Sequence, residues 1–153
     1  MILRTLSASL VIVATVACSS PEKDAYRRLA SEANPPLTAI KPVVEKILAL
    51  KLDERTAIIE LCMAADEPLR TLGKINFYAE YVAPEEQHWS VSSYAKDLLN
   101  SRSFICDLED GVPDRTERCS NWCFKTWTEL VKAAGRLRLA AKEVGVEIVP
   151  LRP

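Results

Sequence analysis

The groups in this chain that could do chemistry are few, and their spacing narrows them further. Five cysteines, one histidine and several clustered carboxylates are the candidates. Cys119 and Cys123 form a CxxxC pair, whereas structural zinc sites draw cysteines two residues apart and redox dithiols need CxxC. Neither of those spacings occurs. His88, the only histidine, lies in a polar stretch beside Trp89 and cannot by itself build a Ser-His-Asp or Cys-His arrangement. Asp107, Glu109, Asp110 and Asp114 crowd one loop like calcium ligands. A calcium helix-loop-helix site, however, places glycine sixth and glutamate twelfth. Counted from Asp107, Gly111 is fifth and the twelfth residue is Arg118, so a solvated loop is expected. Glu85 and Glu86 could exchange protons with a substrate, although adjacent glutamates more often keep a loop soluble. Four scattered glycines make no phosphate cradle. The expectation is no catalytic set, no metal and no cofactor.

The elements that would position these residues read as helices. Leu37, Ile40, Val43 or Val44, Ile47 and Leu48 fall at helical spacing, as do Ala57, Ile58, Leu61, Cys62 and Ala65 behind an N-cap at Asp53. Asp66 or Glu67 then caps, and Pro68 opens a helix to about residue 82. Ser90 or Ser92 caps one running to Cys106. The last helix, from about Arg115, has the clearest period: Cys119, Cys123, Trp127, Leu130, Ala134, Leu137, Ala141 and Val144 recur every three or four residues. Before Asn34-Pro35-Pro36 only weak turns over 25–33 are expected, because a proline steers its predecessor away from helical angles. Two-residue alternation shows only at 146–149. The fold class expected is all-α, a disulfide-stapled bundle of four to five helices.

The first 20 residues set the compartment. Arg4 precedes an apolar run from Leu6 to Val13, and the small residues Thr15, Val16 and Ala17 lead to Cys18, which is the layout of an export signal. From Leu6 the stretch before Cys18 is about 12 residues, short of the roughly 20 that span a bilayer as a helix. The segment resembles the lipobox of bacterial lipoproteins, with Thr15 where that pattern more often has Leu, Val or Ile. The resemblance implies cleavage before Cys18, its lipidation and a membrane anchor of acyl chains. It covers only these 20 residues. The organisation expected is residues 1–17 as signal, 18–35 as lipidated N-terminus and tether, and 36–153 as the helical domain. Ser19 after the cysteine points to the outer membrane, facing the periplasm.

An oxidising compartment changes the meaning of the remaining cysteines, because disulfides persist there. Cys119 and Cys123 sit one turn apart, about 6 Å between Cβ atoms where a disulfide wants about 3.8 Å, so each should bond elsewhere. A helical hairpin centred near Gly111 and Val112 brings Cys106 level with about residue 118. That favours Cys106 with Cys119 and leaves Cys62 for Cys123.

Loss of the signal removes Arg4 and leaves 19 basic against 21 acidic residues, which excludes a nucleic-acid footprint and a polybasic membrane patch. Lys125, Lys132, Arg136, Arg138 and Lys142, interleaved with Glu129 and Glu143, read as a solvated helix face. Trp122, Phe124 and Trp127 cannot all face one way on a helix. With Tyr78, Tyr81 and Trp89 they are either core or an aromatic patch for a partner. Two functions follow. The first is a membrane-anchored, non-catalytic protein-binding module of the envelope, in an immunity, exclusion or pilotin-like escort role. The alternative is a cell-wall or ester hydrolase using carboxylates.

Overall fold

The computed structural model describes residues 20–51, 53–76, 90–106 and 113–152, with backbone alone at 103–104 and 113–115. Their regular structure is helical throughout: α1 Pro21–Ala49, α2 Arg55–Met63, α3 Asp66–Lys74, α4 Val91–Asn100, the single turn α5 Arg102–Ile105, and α6 Pro113–Glu143. No strand occurs among the described residues. The expected all-α, disulfide-stapled bundle is what the chain forms.

Helix α1 corrects the expected break at Asn34-Pro35-Pro36. It is one helix of 29 residues that contains Pro35, Pro36 and Pro42. Its start is well specified: the Ser20 hydroxyl accepts the Lys23 backbone N–H, Pro21 occupies the first turn, and Glu22 and Asp24 complement the positive end of the helix. Each proline removes a bond to the carbonyl four residues earlier, on Ser31, Glu32 and Thr38. All three of those residues are exposed, so water can replace the lost donors. Ala30 and Ala33 before the prolines and Leu37 and Ile40 after them are buried in one core. Burial of large apolar side chains contributes about 1.5–3 kcal/mol each, and packing on both sides overrides the local preference. Residues 20–35 of the stretch expected as a tether therefore belong to the packed body, with Ala25, Tyr26 and Leu29 buried as well.

Smaller boundaries also shift. Glu54, not Asp53, is the N-cap residue of α2, and its carboxylate accepts the Lys51 backbone N–H at 2.8 Å instead of capping the helix. Ala65 precedes α3, and neither Asp66 nor Glu67 acts as a side-chain cap. Helix α3 ends at Lys74, and the rest of its expected course to residue 82 lies outside the described residues beyond Asn76. Ser90 caps α4 through the Ser93 N–H. The helix expected from Ser90 to Cys106 divides at Ser101, where Asn100 and Ser101 offer the backbone competing polar side chains.

Helix α6 is the central element and packs against α1, α2, α4 and α5. Cys119, Cys123, Trp127, Leu130, Ala134, Leu137 and Ala141 are all buried, as their period requires. The Trp127 indole N–H finds no acceptor among the described residues, at a cost of about 1–3 kcal/mol. The helix stops in a Schellman motif. Gly145 takes φ +73°, its N–H reaches the Lys142 carbonyl, and the Val146 N–H reaches that of Ala141.

Beyond it the chain is extended and lies back along α1. Val146, Ile148 and Leu151 are buried while Glu147 is exposed. This accounts for the alternation at 146–149 without a strand partner: a side chain, Asn34, takes that place. Its amide donates to the Glu147 carbonyl at 3.2 Å and accepts the Val149 N–H at 2.9 Å.

Candidate functional site

The first half of α6 gathers the sulfur chemistry. Cys62 of α2 is bonded to Cys123, with Cα atoms 6.2 Å apart, and Cys106 at the end of α5 is bonded to Cys119, with Cα atoms 4.9 Å apart. The hairpin spacing favours the second of these pairs and leaves the first as the remainder. Cys119 and Cys123 bond to different neighbours, Cys119 to the end of α5 and Cys123 to α2. Cys106 and Cys119 belong, with Ile59, to a small apolar cluster of their own, and Cys123 belongs to the main core. All four are buried.

Trp122 and Phe124 are placed differently from a free aromatic patch. Trp122 is half-buried and bridges the two clusters, against Ile59, Cys106 and Cys119 on one side. Phe124 is half-buried against the main core although it points away from the stripe centre. Helices on several sides of α6 widen its covered arc beyond what a single stripe implies. Both side chains keep part of their surface in solvent.

Cys18, Tyr78, Tyr81, Trp89, Glu85, Glu86, His88, Asp107, Glu109 and Asp110 lie outside the described residues. Asp114 stands in the first turn of α6. Among the described residues no three His, Cys, Asp or Glu side chains stand close enough to share a metal ion. No described helix is long and apolar enough to cross a membrane.

Three features were not read from the sequence. Arg102 of α5 donates through both arms of its guanidinium to the Asp66 carboxylate at the start of α3, one bond at 2.8 Å and the other to Oδ1. That hydrogen bonding, opposed by desolvation, holds the Asp66 carboxyl below its ordinary pKa and raises that of Arg102. It is a fork-to-fork tie between two short helices. The second feature is a groove of about 380 Å³ between α6 and the C-terminal segment, lined by Asn34, Arg138, Lys142, Glu147 and Val149 among others. The third is Leu139, 63% exposed on α6; apart from Met63 it is the one exposed large hydrophobic among the described residues. Its spacing carried the signal, since two residues from both Leu137 and Ala141 puts it about 200° off the buried stripe.

No protein-family model, curated protein or solved structure matches this chain.

Proposed function

We propose that this chain is a lipid-anchored module of the bacterial cell envelope that binds a protein partner, in a guarding or escorting role, and performs no catalysis itself. The observation that carries the reading is the junction after the lipobox-like segment. Ser20 caps α1, so the first helix of the described residues starts two residues past Cys18. A helix start just after that cysteine is compatible with cleavage before it. Two buried disulfides support the same compartment, because such bonds persist outside the reducing cytosol. Trp122 and Phe124 remain the partner-contact candidates, through the part of each side chain that reaches solvent, and Tyr78, Tyr81 and Trp89 join them as proposals from sequence.

The test begins with the anchor. Processing should be blocked by globomycin, and a fatty-acid analogue should label the chain but not the Cys18→Ser variant. Labelling that persists in Cys18→Ser would sink the reading. Crosslinking in intact envelopes should then recover one envelope protein in near-stoichiometric amount with the lipidated chain. Hydrolysis of peptidoglycan or ester substrates by the purified protein, lost in Glu85→Gln/Glu86→Gln, would instead favour an enzyme.

A further inference from the structure

We propose that the groove between α6 and the C-terminal segment takes an extended peptide carrying an acidic side chain, and so is where this chain holds its protein partner. The inference rests on the protein-binding role proposed above and adds the site and the chemistry of its occupant. The cavity measures about 380 Å³, at the lower end of the roughly 300–1,000 Å³ of ligand clefts, which suits a few residues and not a folded surface.

One wall is cationic. Arg138 and Lys142 stand four positions apart on α6, neighbours on one face, and both line the groove. Both are exposed, and neither side chain makes a hydrogen bond or an ion pair among the described residues. Other cations are already paired, as Lys132 is with Glu129 and Arg55 with Glu117. Glu147 is the one carboxylate in the lining, and it forms no ion pair with them. Glu143 follows Lys142 but is turned about 100° around the helix and does not line the groove. Lys23 adds to the positive sign from α1: its ammonium lies 3.4 Å from where a Cβ on Gly145 would stand, at the turn that joins Lys142 to Val146. The lining holds two positive charges against one negative, so an incoming carboxylate is the group that balances it.

The opposite wall offers backbone. Asn34 occupies the Glu147 C=O and the Val149 N–H. The Glu147 N–H and the Val149 C=O are in no hydrogen bond among the described residues, although both residues line the groove. A peptide unit supplies the acceptor and the donor that these two groups lack, which a simple anion does not. Val146, Val149 and Pro150 give it apolar contact. This wall is fixed in advance: the Asn34 amide, the buried Ile148 and Leu151 and the turn at Gly145 hold the segment, so binding need order only the peptide.

The full-length chain, processed in cells, isotope-labelled and extracted in detergent, is titrated with acetyl-Val-Glu-Val-amide and followed amide by amide by NMR. Resonances of Lys142, Glu147 and Val149 should move saturably while those of α2 stay. Replacing the probe's Glu by Gln, or using Arg138→Ala/Lys142→Ala, should weaken binding roughly three- to tenfold, the worth of two exposed charge contacts. Both substituted positions are exposed, and unmoved α4 resonances report an intact fold. No saturable shift, equal affinity for the Glu and Gln probes, or unchanged affinity in the variant would overturn the proposal. Acetate moving the same resonances at the same concentration would also overturn it, leaving an anion site blind to peptide. Crosslinking in intact envelopes separates this failure from that of the role itself. A partner recovered equally by the parent and by Arg138→Ala/Lys142→Ala would keep the binding role and remove the groove as its site. Saturable probe binding with no partner recovered by the parent would uphold the groove and sink the role.

Discussion

The side-chain oxygen of Asn34 accepts the backbone N–H of Val149 at 2.9 Å, across 115 positions of sequence. The same amide donates to the Glu147 carbonyl. One polar side chain on α1, placed just before two helix-disrupting prolines, thus does for the C-terminal segment what a neighbouring strand would do.

Asn34→Ala should release that segment. Two bonds vanish and the half-buried Val149 N–H is left without its acceptor, so stability should fall by about 1–2 kcal/mol. Amide hydrogen exchange should speed up at 147–149 more than in α4. Unchanged exchange there would mean that Val146, Ile148 and Leu151 hold the segment by burial alone.

The two disulfides should differ in worth. The Cys62–Cys123 bridge spans 61 residues and the Cys106–Cys119 bridge 13. Chain-entropy arguments assign about 4 kcal/mol to the longer loop and about 3 kcal/mol to the shorter. Denaturant unfolding of Cys62→Ala/Cys123→Ala and Cys106→Ala/Cys119→Ala should therefore rank the first pair as the less stable. The reverse order would show that the α5–α6 link carries more than loop entropy.

Asp66 gives stability a dependence on acid. Its folded pKa lies below the ordinary value because Arg102 hydrogen-bonds the ionised form, so its contribution is present above the unfolded value of about 3.9. That contribution is lost as pH falls through the folded pKa. Since the carboxylate is about half exposed, solvent screening limits the pair to about 1 kcal/mol or less. Asp66→Asn should melt slightly below the parent at pH 7 and level with it at strongly acid pH. A gap that persists in acid would point to packing and not charge.

Two glycines of the α6 region should respond oppositely to the same added methyl. Gly135 is exposed in mid-helix and a Cβ there would meet nothing within 4 Å, so Gly135→Ala should stabilise by about 0.5–1 kcal/mol. Gly145 holds φ +73° at the Schellman turn, and Gly145→Ala should cost about 1–2 kcal/mol. Thermal unfolding of the two variants reads both signs, and a stabilised Gly145→Ala would refute the left-handed turn.

The sequence by itself determined the helical class, the buried face of α6 and the pairing of Cys106 with Cys119, and left Cys62 for Cys123 by elimination. Each is a matter of spacing within or between neighbouring elements. A stripe such as Cys119, Cys123, Trp127 and Leu130 states its own buried side, and a hairpin of 13 residues states which cysteine meets Cys119. Only the tertiary structure decided that α1 runs through Pro35 and Pro36, that Asn34 holds the C-terminal segment, and that Arg102 grips Asp66. The local signal at Asn34-Pro35-Pro36 argues for a stop, and it is overruled by burial on both sides of the prolines. Polar partners 36 to 115 residues apart leave no periodic trace, because one side chain meeting one distant group repeats nothing along the chain. The half-burial of Trp122 and Phe124 follows the same logic. Helical angles give the direction in which a ring points, whereas the number of helices packed around α6 decides whether water or protein is waiting there.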